Sequence, residues 1–389
     1  MPSSWPMAHA NSSRTSSIKL LKGHISIPNW ILPINPRISF SDTRRYHDLP
    51  SLITAGGMVI VPDPLENVFN SYSISQTEKL WRADPGGVLC YSSNPVIYGL
   101  SIYCIFESRL IRISLLDGKV DVILRDPRII PAEKCAPLLI VQTYFENQDF
   151  RETVKLIWGL DSHILTYILE NGEEKDVNFI SHTAEGYLRT PIAINSNYAL
   201  FTSKQGKIYK VNVDTGEIVT IEVGDCILSA PCLLEERVYF QAISSRMNRM
   251  IFYLDPGNEQ PKSAEIPDEQ EHDIDYFETF FWYPPVVFGQ YVVTSDCFHS
   301  KLIRCFGNKS QRASMRNRFF AHQSISIGNE LISISDSGLF RWDLPTGKHS
   351  ILNLTNKPGD RPIPIGFPAV YADKLIIWCE DRLICHSII

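Results

Sequence analysis

The sequence predicts an all-β fold in which short strands recur in groups of four. Three observations support this prediction. Residues 191–223 contain four apolar runs separated by polar turns. The same pattern returns along most of the chain, and its best-marked turn recurs at intervals of about 40 to 54 residues. Self-similarity at this period is typical of repeat architectures, so the chain is treated as one repeating fold and not as two or three ordinary domains.

The clearest unit defines the four strands. Its apolar runs are Ile192 to Ile194, Tyr198 to Thr202, Ile208 to Val213 and Ile218 to Val223. The last two runs are separated by Asp214-Thr215-Gly216-Glu217, and turns of this Asp-Gly kind provide the positive φ that tight hairpins need. The unit therefore predicts a meander of four short antiparallel strands.

The turn between the third and fourth strands measures the repeat along the chain. It is predicted at Thr77, Gly118, Gly172, Gly216, Gly257, Gly307 and Gly347. This spacing fits a four-stranded propeller blade, with insertions in the two longer units.

Both ends of the repeat enter the blade count. After Gly347 only three further strands are predicted, Ala369 to Tyr371, Lys374 to Cys379 and Arg382 to Ile388, and the strand-like segment Ser17 to Ile27 supplies the fourth. We therefore predict a disordered segment 1–16 and a single closed β-propeller over 17–389, with eight four-stranded blades. Seven blades remain the alternative if the last unit merges with the first.

Several segments resemble the PQQ-like, or quinoprotein-like, propeller repeat. They are Gly56 to Pro62 with Lys79-Leu80-Trp81-Arg82, then Ile208 to Gly216, and Leu339 to Gly347. The resemblance covers about residues 50 to 389. It implies the propeller architecture and a scaffold-type member of the family. A WD40-like propeller is the runner-up, on Lys22-Gly23-His24 and Trp342-Asp343.

Composition limits the classes of partner. The net charge is −6 and the pI about 6.0, which disfavours a nucleic-acid partner. Neither a secretory signal nor a membrane-spanning segment is evident, and the nine cysteines are read as reduced thiols. These features predict a cytoplasmic protein that binds another protein and no membrane.

Enzymatic chemistry finds little support in the residues. Quinone-dependent members of the family that this chain resembles often carry an adjacent Cys-Cys pair, and no two cysteines are adjacent here. Metal-capable residue types do come close together, at Asp296, Cys297, His299 and Cys305 and at His272, Asp273 and Asp275. Strand packing and a solvated acidic loop explain these two groups more simply. We predict no catalytic residue, cofactor or metal site.

Loop lengths point to one face as the binding face. Second-to-third-strand loops and connections between blades share one end of the sheets, and most of the length variation is predicted there. The long connections are 126–135, 145–153, 244–248, 265–283, 310–322 and 355–366.

The strongest candidate on this face is segment 265–283, which has seven acidic residues followed by aromatic ones. Exposed aromatic side chains beside charges are typical of interface hot spots. The predicted partner-binding residues are Asp273, Asp275, Tyr276, Phe277, Phe280, Phe281, Trp282, Tyr283, Arg312, Arg316 and Arg318. Alternatively, the segment is a solvated loop whose aromatic residues pack between blades, and the three arginines pair with its acids or form a local phosphate site.

Two functions follow from these patterns. The first is a non-catalytic interaction scaffold, a subunit of a larger complex that docks a partner through its loop-rich face. The alternative is a small-ligand sensor, or a quinone- or metal-dependent enzyme, that uses the central funnel.

Overall fold

The fold was analysed in a computed structural model. The structure describes residues 17–18, 25–34, 51–63, 65–88, 93–130, 137–146, 149–184, 188, 191–195, 197–203, 205–224, 226–234, 237–244, 249–255, 262–266, 286–288, 291–293, 301–303, 312–314, 325–327, 330–335, 338–343, 348–352, 354–355, 360, 362 and 368–388. Every regular element within these ranges is a β-strand, and no helix occurs among them. The predicted all-β class is confirmed.

The first four blades follow one another along the chain, each as a four-stranded sheet. Blade 1 contains β3 (Ile53–Ala55), β4 (Met58–Asp63), β5 (Val68–Ser73) and β6 (Lys79–Ala83). Blade 2 contains β7 (Val96–Tyr98), β8 (Ser101–Phe106), β9 (Arg109–Ser114) and β10 (Val120–Arg125). Blade 3 contains β11 (Leu138–Glu146), β12 (Asp149–Gly159), β13 (His163–Glu170) and β14 (Glu173–Ser181). Blade 4 contains β15 (Ile192–Ala193), β16 (Tyr198–Thr202), β17 (Lys207–Asn212) and β18 (Ile218–Glu222).

The next two positions are less regular. Blade 5 has a divided first strand, because β19 (Cys226–Leu228) and β20 (Cys232–Leu234) both pair with β21 (Arg237–Ser244), which continues into β22 (Arg249–Leu254) and β23 (Lys262–Ile266). The sixth position holds two separate pairs, β24 (Val286–Phe288) with β25 (Tyr291–Val293) and β26 (Lys301–Ile303) with β27 (Arg312–Ser314). The count of eight blades therefore stays a prediction.

The last two sheets include strands from the N-terminal part of the chain. Blade 7 contains β28 (Ile325–Ile327), β29 (Glu330–Ser335), β30 (Gly338–Asp343) and β31 (Lys348–Leu352), and β1 (Ser17–Ile18) pairs in parallel with β28. Blade 8 contains β32 (Ala369–Tyr371), β33 (Lys374–Cys379) and β34 (Arg382–Ile388), with β2 (Ile25–Pro33) antiparallel to β34.

The contacts between sheets place first strands innermost. First strands of neighbouring sheets contact each other, as β11 does β15, β24 does β28, and β3 does β32. The hydrophobic core lies between successive blades. Ile60 of blade 1 clusters with Ile111 of blade 2, for example, and one cluster joins residues of blades 7, 8 and 1. Thr54 Oγ1 also donates to the carbonyl oxygen of Val370 at 2.9 Å, so the first and last blades are in direct contact.

The predicted positions of the turns between third and fourth strands agree with the strand order. All seven predicted turn residues fall between the third and fourth strands of their units. The four that the structure describes have positive φ, with values of 58° at Thr77, 73° at Gly118, 84° at Gly172 and 77° at Gly216. The three strands predicted after Gly347 have the predicted bounds.

Two strand predictions were wrong in detail. Segment Ser17 to Ile27 is not one strand: β1 joins blade 7, and β2, which begins at Ile25, joins blade 8. Segment 145–153 is not a loop, since it belongs to the hairpin of β11 and β12 except for residues 147–148. That hairpin joins a first and a second strand, so its tip lies at the end of the sheets opposite to the predicted binding face.

Candidate partner-binding surfaces

The predicted loop-rich binding face lies mostly outside the described residues. Of its predicted residues, Arg312 alone is described, and it lies in β27 with its backbone paired to Ile303, not in a connection. Glu265 belongs to β23. The grouping of Asp273 to Tyr283 with Arg316 and Arg318 therefore stays a prediction.

The described part of the chain contains another prominent surface, at the opposite end of the sheets. Here the hairpin of β11 and β12 is longer than its neighbours. On the blade 2 side, the Tyr98 hydroxyl donates to Glu152 Oε1. Tyr98 is the last residue of β7, so Glu152 lies at the height where the first turn of blade 2 begins. On the blade 4 side, Gln142 Nε2 donates to Asn197 Oδ1 at 3.2 Å. The pairs Tyr144–Arg151, Phe145–Phe150 and Glu146–Asp149 lie beyond Glu152, so the hairpin projects by about 10 Å.

The alternation of side chains along β12 decides which residues face blade 2. Val154 belongs to the core cluster shared by blades 2 and 3, so Glu152 and Phe150, two and four positions away, lie on the same face of the sheet. Phe150 is 58% exposed. The projecting hairpin therefore presents an aromatic side chain on the side of blade 2.

The adjacent end of blade 2 is also apolar. Leu100 lies in its first turn and Leu116 in its third, and the two turns are joined by a bond from the backbone N–H of Leu115 to the carbonyl of Leu100, at 3.0 Å. Leu100 is 64% exposed and Leu116 75% exposed. We call the surface formed by Leu100, Leu116, Phe150, Glu152 and Glu174 the hairpin step.

Two carboxylates of the hairpin step are held by tyrosines. Glu152 accepts from Tyr98, and Glu174 Oε2 accepts from the Tyr167 hydroxyl at 3.3 Å. Burial is the main cause that raises the pKa of both Tyr98 and Tyr167, and the neighbouring Glu152 and Glu174 carboxylates add to it. Both phenols therefore remain protonated donors near neutral pH.

The inner edge of blade 7 faces the central funnel and is covered by β1. Strand β1 pairs with β28 on the side away from β29, and it also contacts β24. Because β28 is an innermost strand, this places Ser17 and Ile18 on the channel side of the blade. The sequence did not predict this position.

The described cysteines are packed as small hydrophobic side chains. Cys104, Cys232, Cys379 and Cys385 are free thiols and are buried. Burial raises the pKa of Cys104 and of Cys385 to about 12, so these thiols carry little nucleophilic thiolate. Within the described ranges, no three metal-ligating side chains converge on one point. The metal-capable residues at 272–275 and 296–305 lie outside those ranges.

Comparisons with solved structures agree on the architecture. The quinohemoprotein alcohol dehydrogenase of Comamonas testosteroni matches with a TM-score of 0.61 and 11% identity, over 99% of this chain and 80% of the enzyme. A europium-containing methanol dehydrogenase matches with 0.59 and 10%, over 99% of this chain and 98% of the other. The C-terminal WD40 domain of Sif2 matches with 0.56 and 9%, over 96% and 99%.

The chain is a β-propeller. Both resemblances stated from the sequence, to PQQ-like and to WD40-like propellers, are confirmed at the level of the fold. At this identity the matches describe architecture alone. No protein-family model matches the chain, and no curated protein matches it in sequence. None of the described elements is a helix that could cross a membrane.

Sequence reasoning missed the hairpin step for a local reason. Residues 146–149 read Glu-Asn-Gln-Asp, which is turn-like, and the polar residues around them concealed two long strands. The length of the mostly apolar stretches on either side, 138–145 and 154–158, was the signal that a long hairpin was present.

Proposed function

We propose that this propeller is a cytoplasmic, non-catalytic interaction scaffold, a subunit of a larger complex that docks a protein partner through its loop-rich face. The predicted contact residues are those of segment 273–283 together with Arg312, Arg316 and Arg318. Architecture alone does not distinguish this function from the chemistry of an enzyme, since the fold is shared with dehydrogenases and with WD40 domains.

The position of β1 is the observation that carries the proposal. Propellers that bind small ligands in the funnel need an accessible channel lined by the innermost strands. Here the chain's own β1 takes the channel-side edge of β28. This arrangement favours recognition on the outer surfaces over chemistry in the funnel. It does so independently of the comparisons.

The test is purification of the tagged protein from its native host, with mass spectrometry of what copurifies. A variant with Phe280, Phe281 and Trp282 changed to alanine is compared with a control in which exposed Leu65 and Ile351 are changed to alanine. We expect a stoichiometric protein that only the first variant loses while both variants keep the wild-type Tm. Recovery of the protein alone with a bound small molecule would instead assign function to the funnel.

A further inference from the structure

We propose that the hairpin step is a second docking surface, which binds a partner segment carrying lysine or arginine beside an aliphatic or aromatic side chain. This inference goes beyond the proposed function. The step lies at the end of the sheets that carries the first-to-second-strand turns, whereas the loop-rich face lies at the other end. The two surfaces can therefore be tested separately.

The apolar part of the step explains why a partner would bind there. Leu100 and Leu116 are 64% and 75% exposed, and the turns that carry them are joined by a backbone bond. Phe150 stands on the wall formed by the projecting hairpin and is 58% exposed. The projecting hairpin rises beside the end of blade 2, so one side chain of a partner can contact both surfaces. Such a contact buries more apolar area than a flat patch does.

Charge determines the chemistry of the partner. Five acidic side chains lie on β12 of the hairpin and beside the neighbouring β13–β14 turn: Glu152, Glu170, Glu173, Glu174 and Asp176. Two basic residues lie among them, Arg151 and Lys175, and both pair with Glu170. These side chains leave a local excess of three negative charges. This end of blade 3 therefore attracts cations and repels nucleic acid and anionic membranes.

Two of these carboxylates are positioned to bind a cation directly. Glu152 and Glu174 accept hydrogen bonds from neutral tyrosine hydroxyls, and neither forms an ion pair with any residue that the structure describes. A carboxylate that is oriented by one neutral donor still has lone pairs for a lysine or an arginine. Glu174 pairs with Leu169 of the core cluster shared by blades 2 and 3, so it lies on the blade 2 side of the hairpin, as Glu152 does. The turns that carry the two leucines belong to that blade.

The experiment selects peptides from a displayed random library on the immobilised full-length protein and then measures the dissociation constant of the most enriched peptide. We expect enriched peptides to combine basic with apolar residues and to bind more weakly at high salt. The variant Leu116→Ser and the double variant Glu152→Gln with Glu174→Gln should each weaken binding by about tenfold or more. Glutamine keeps the acceptor for each tyrosine, so the double variant changes charge and leaves the hydrogen bonds in place.

Matched controls separate the step from general surface effects. Leu65→Ser removes an apolar side chain of comparable exposure, 54%, and Glu66→Gln with Glu222→Gln removes the same number of charges elsewhere. These controls, and the alanine variant at Phe280, Phe281 and Trp282, should bind the peptide as wild type does. Enrichment of acidic or uncharged peptides, no enrichment at all, or equal binding by the step variants would overturn the proposal without affecting that for the loop-rich face.

Discussion

The boundary between blades 1 and 2 and the boundary between blades 3 and 4 use the same position of the repeat with different chemistry. At the first, the Trp81 indole covers the third turn of blade 2, and its Nε1 donates to the carbonyl of Leu115 at 2.8 Å. At the second, Ile180 lies over the equivalent Gly216, and the buried Lys155 reaches Asp214 of that turn at 2.5 Å. An aromatic contact at one boundary is thus replaced by an aliphatic contact and an ion pair at the other.

The difference shows what the repeat requires and what it leaves open. Both turns need a positive φ at their glycine, 73° at Gly118 and 77° at Gly216. Only Gly118 is also needed for space, because a Cβ there would lie 2.8 Å from Trp81 Cε3, whereas one at Gly216 would lie 3.7 Å from Ile180 Cγ1. Backbone geometry is therefore common to the blades, and the contact between blades is local. Four predictions test this comparison.

Gly118→Ala should have the largest effect, a loss of about 3 kcal/mol in the free energy of unfolding. The new Cβ would add a steric clash with Trp81 to the cost of positive φ. Gly216→Ala, at the equivalent turn, should lose only about 1 kcal/mol, the backbone part alone. Urea denaturation of the two variants measures both values, and equal losses would show that the space at Gly118 is unimportant.

Asp214→Asn should cost about 1 to 2 kcal/mol. It leaves the Lys155 ammonium, whose side chain is 5% exposed, without its carboxylate, and an unpaired buried charge is expensive. Lys155→Met removes that charge and leaves a half-exposed Asp214, so it should cost less than about 1 kcal/mol. Thermal unfolding of both variants gives the order of stability. The reverse order would mean that the buried ammonium has enough other partners.

Trp81→Phe tests the aromatic boundary by a smaller change. Phenylalanine keeps most of the ring but loses the Nε1 donor to Leu115, which should cost about 1 kcal/mol. Trp158→Phe is the control, because it also removes an indole donor. Trp158 Nε1 donates to Ser93 Oγ at 3.2 Å. If Trp81→Phe is neutral in urea denaturation, ring packing alone holds this boundary.

The smallest effect is expected from pH, through His182 beside Tyr209 at the boundary of blades 3 and 4. Burial is the main cause that lowers the pKa of His182, so the folded protein favours the neutral ring. Its contribution to stability is therefore complete above the ordinary pKa of about 6.5 and declines as the pH falls below it, by at most about 1.4 kcal/mol per pH unit.

We expect the wild-type Tm to fall more between pH 7.5 and pH 5.5, values on either side of the histidine pKa of about 6.5, than the Tm of His182→Gln does. Glutamine cannot gain a proton in this range, so its presence removes this one source of acid sensitivity. Parallel declines in the two proteins would rule out His182 as a source of the pH dependence.

Most of the fold could be predicted because its signals are local. The third turns need a residue that adopts a positive φ, and the residue type alone indicates this. The strands at 198–202 and 374–379 were delimited by alternation and flanking turns. Trp81 was likewise visible as the tryptophan of the PQQ-like repeat, although its contact with the next blade was not predicted. In each case, one short stretch of chain contained the whole signal.

One error arose where distant parts of the chain pair, whereas the missed hairpin at 145–153 had a local cause. Segment 25–33 contains Pro28 and Pro33, which argue against a strand, yet β2 forms because it lies at the outer edge of blade 8 and needs hydrogen bonds on one side only. The register shifts on both sides of Pro28 accommodate the ring. The step on blades 2 and 3 also depends on how far one hairpin extends past another blade, and no single segment contains that information.

The pairing of β2 with β34 also sets an order of events during synthesis. Asn29 donates to Ser387 across this sheet, and 358 positions separate the two residues along the chain. Strand β2 leaves the ribosome early, and its partner is made only after the blades between them. Until then, β2, an apolar strand that includes Trp30 and Leu32, has no strand to pair with. Blade 8 is therefore the last to assemble, and the nascent chain depends most on protection from aggregation during that interval.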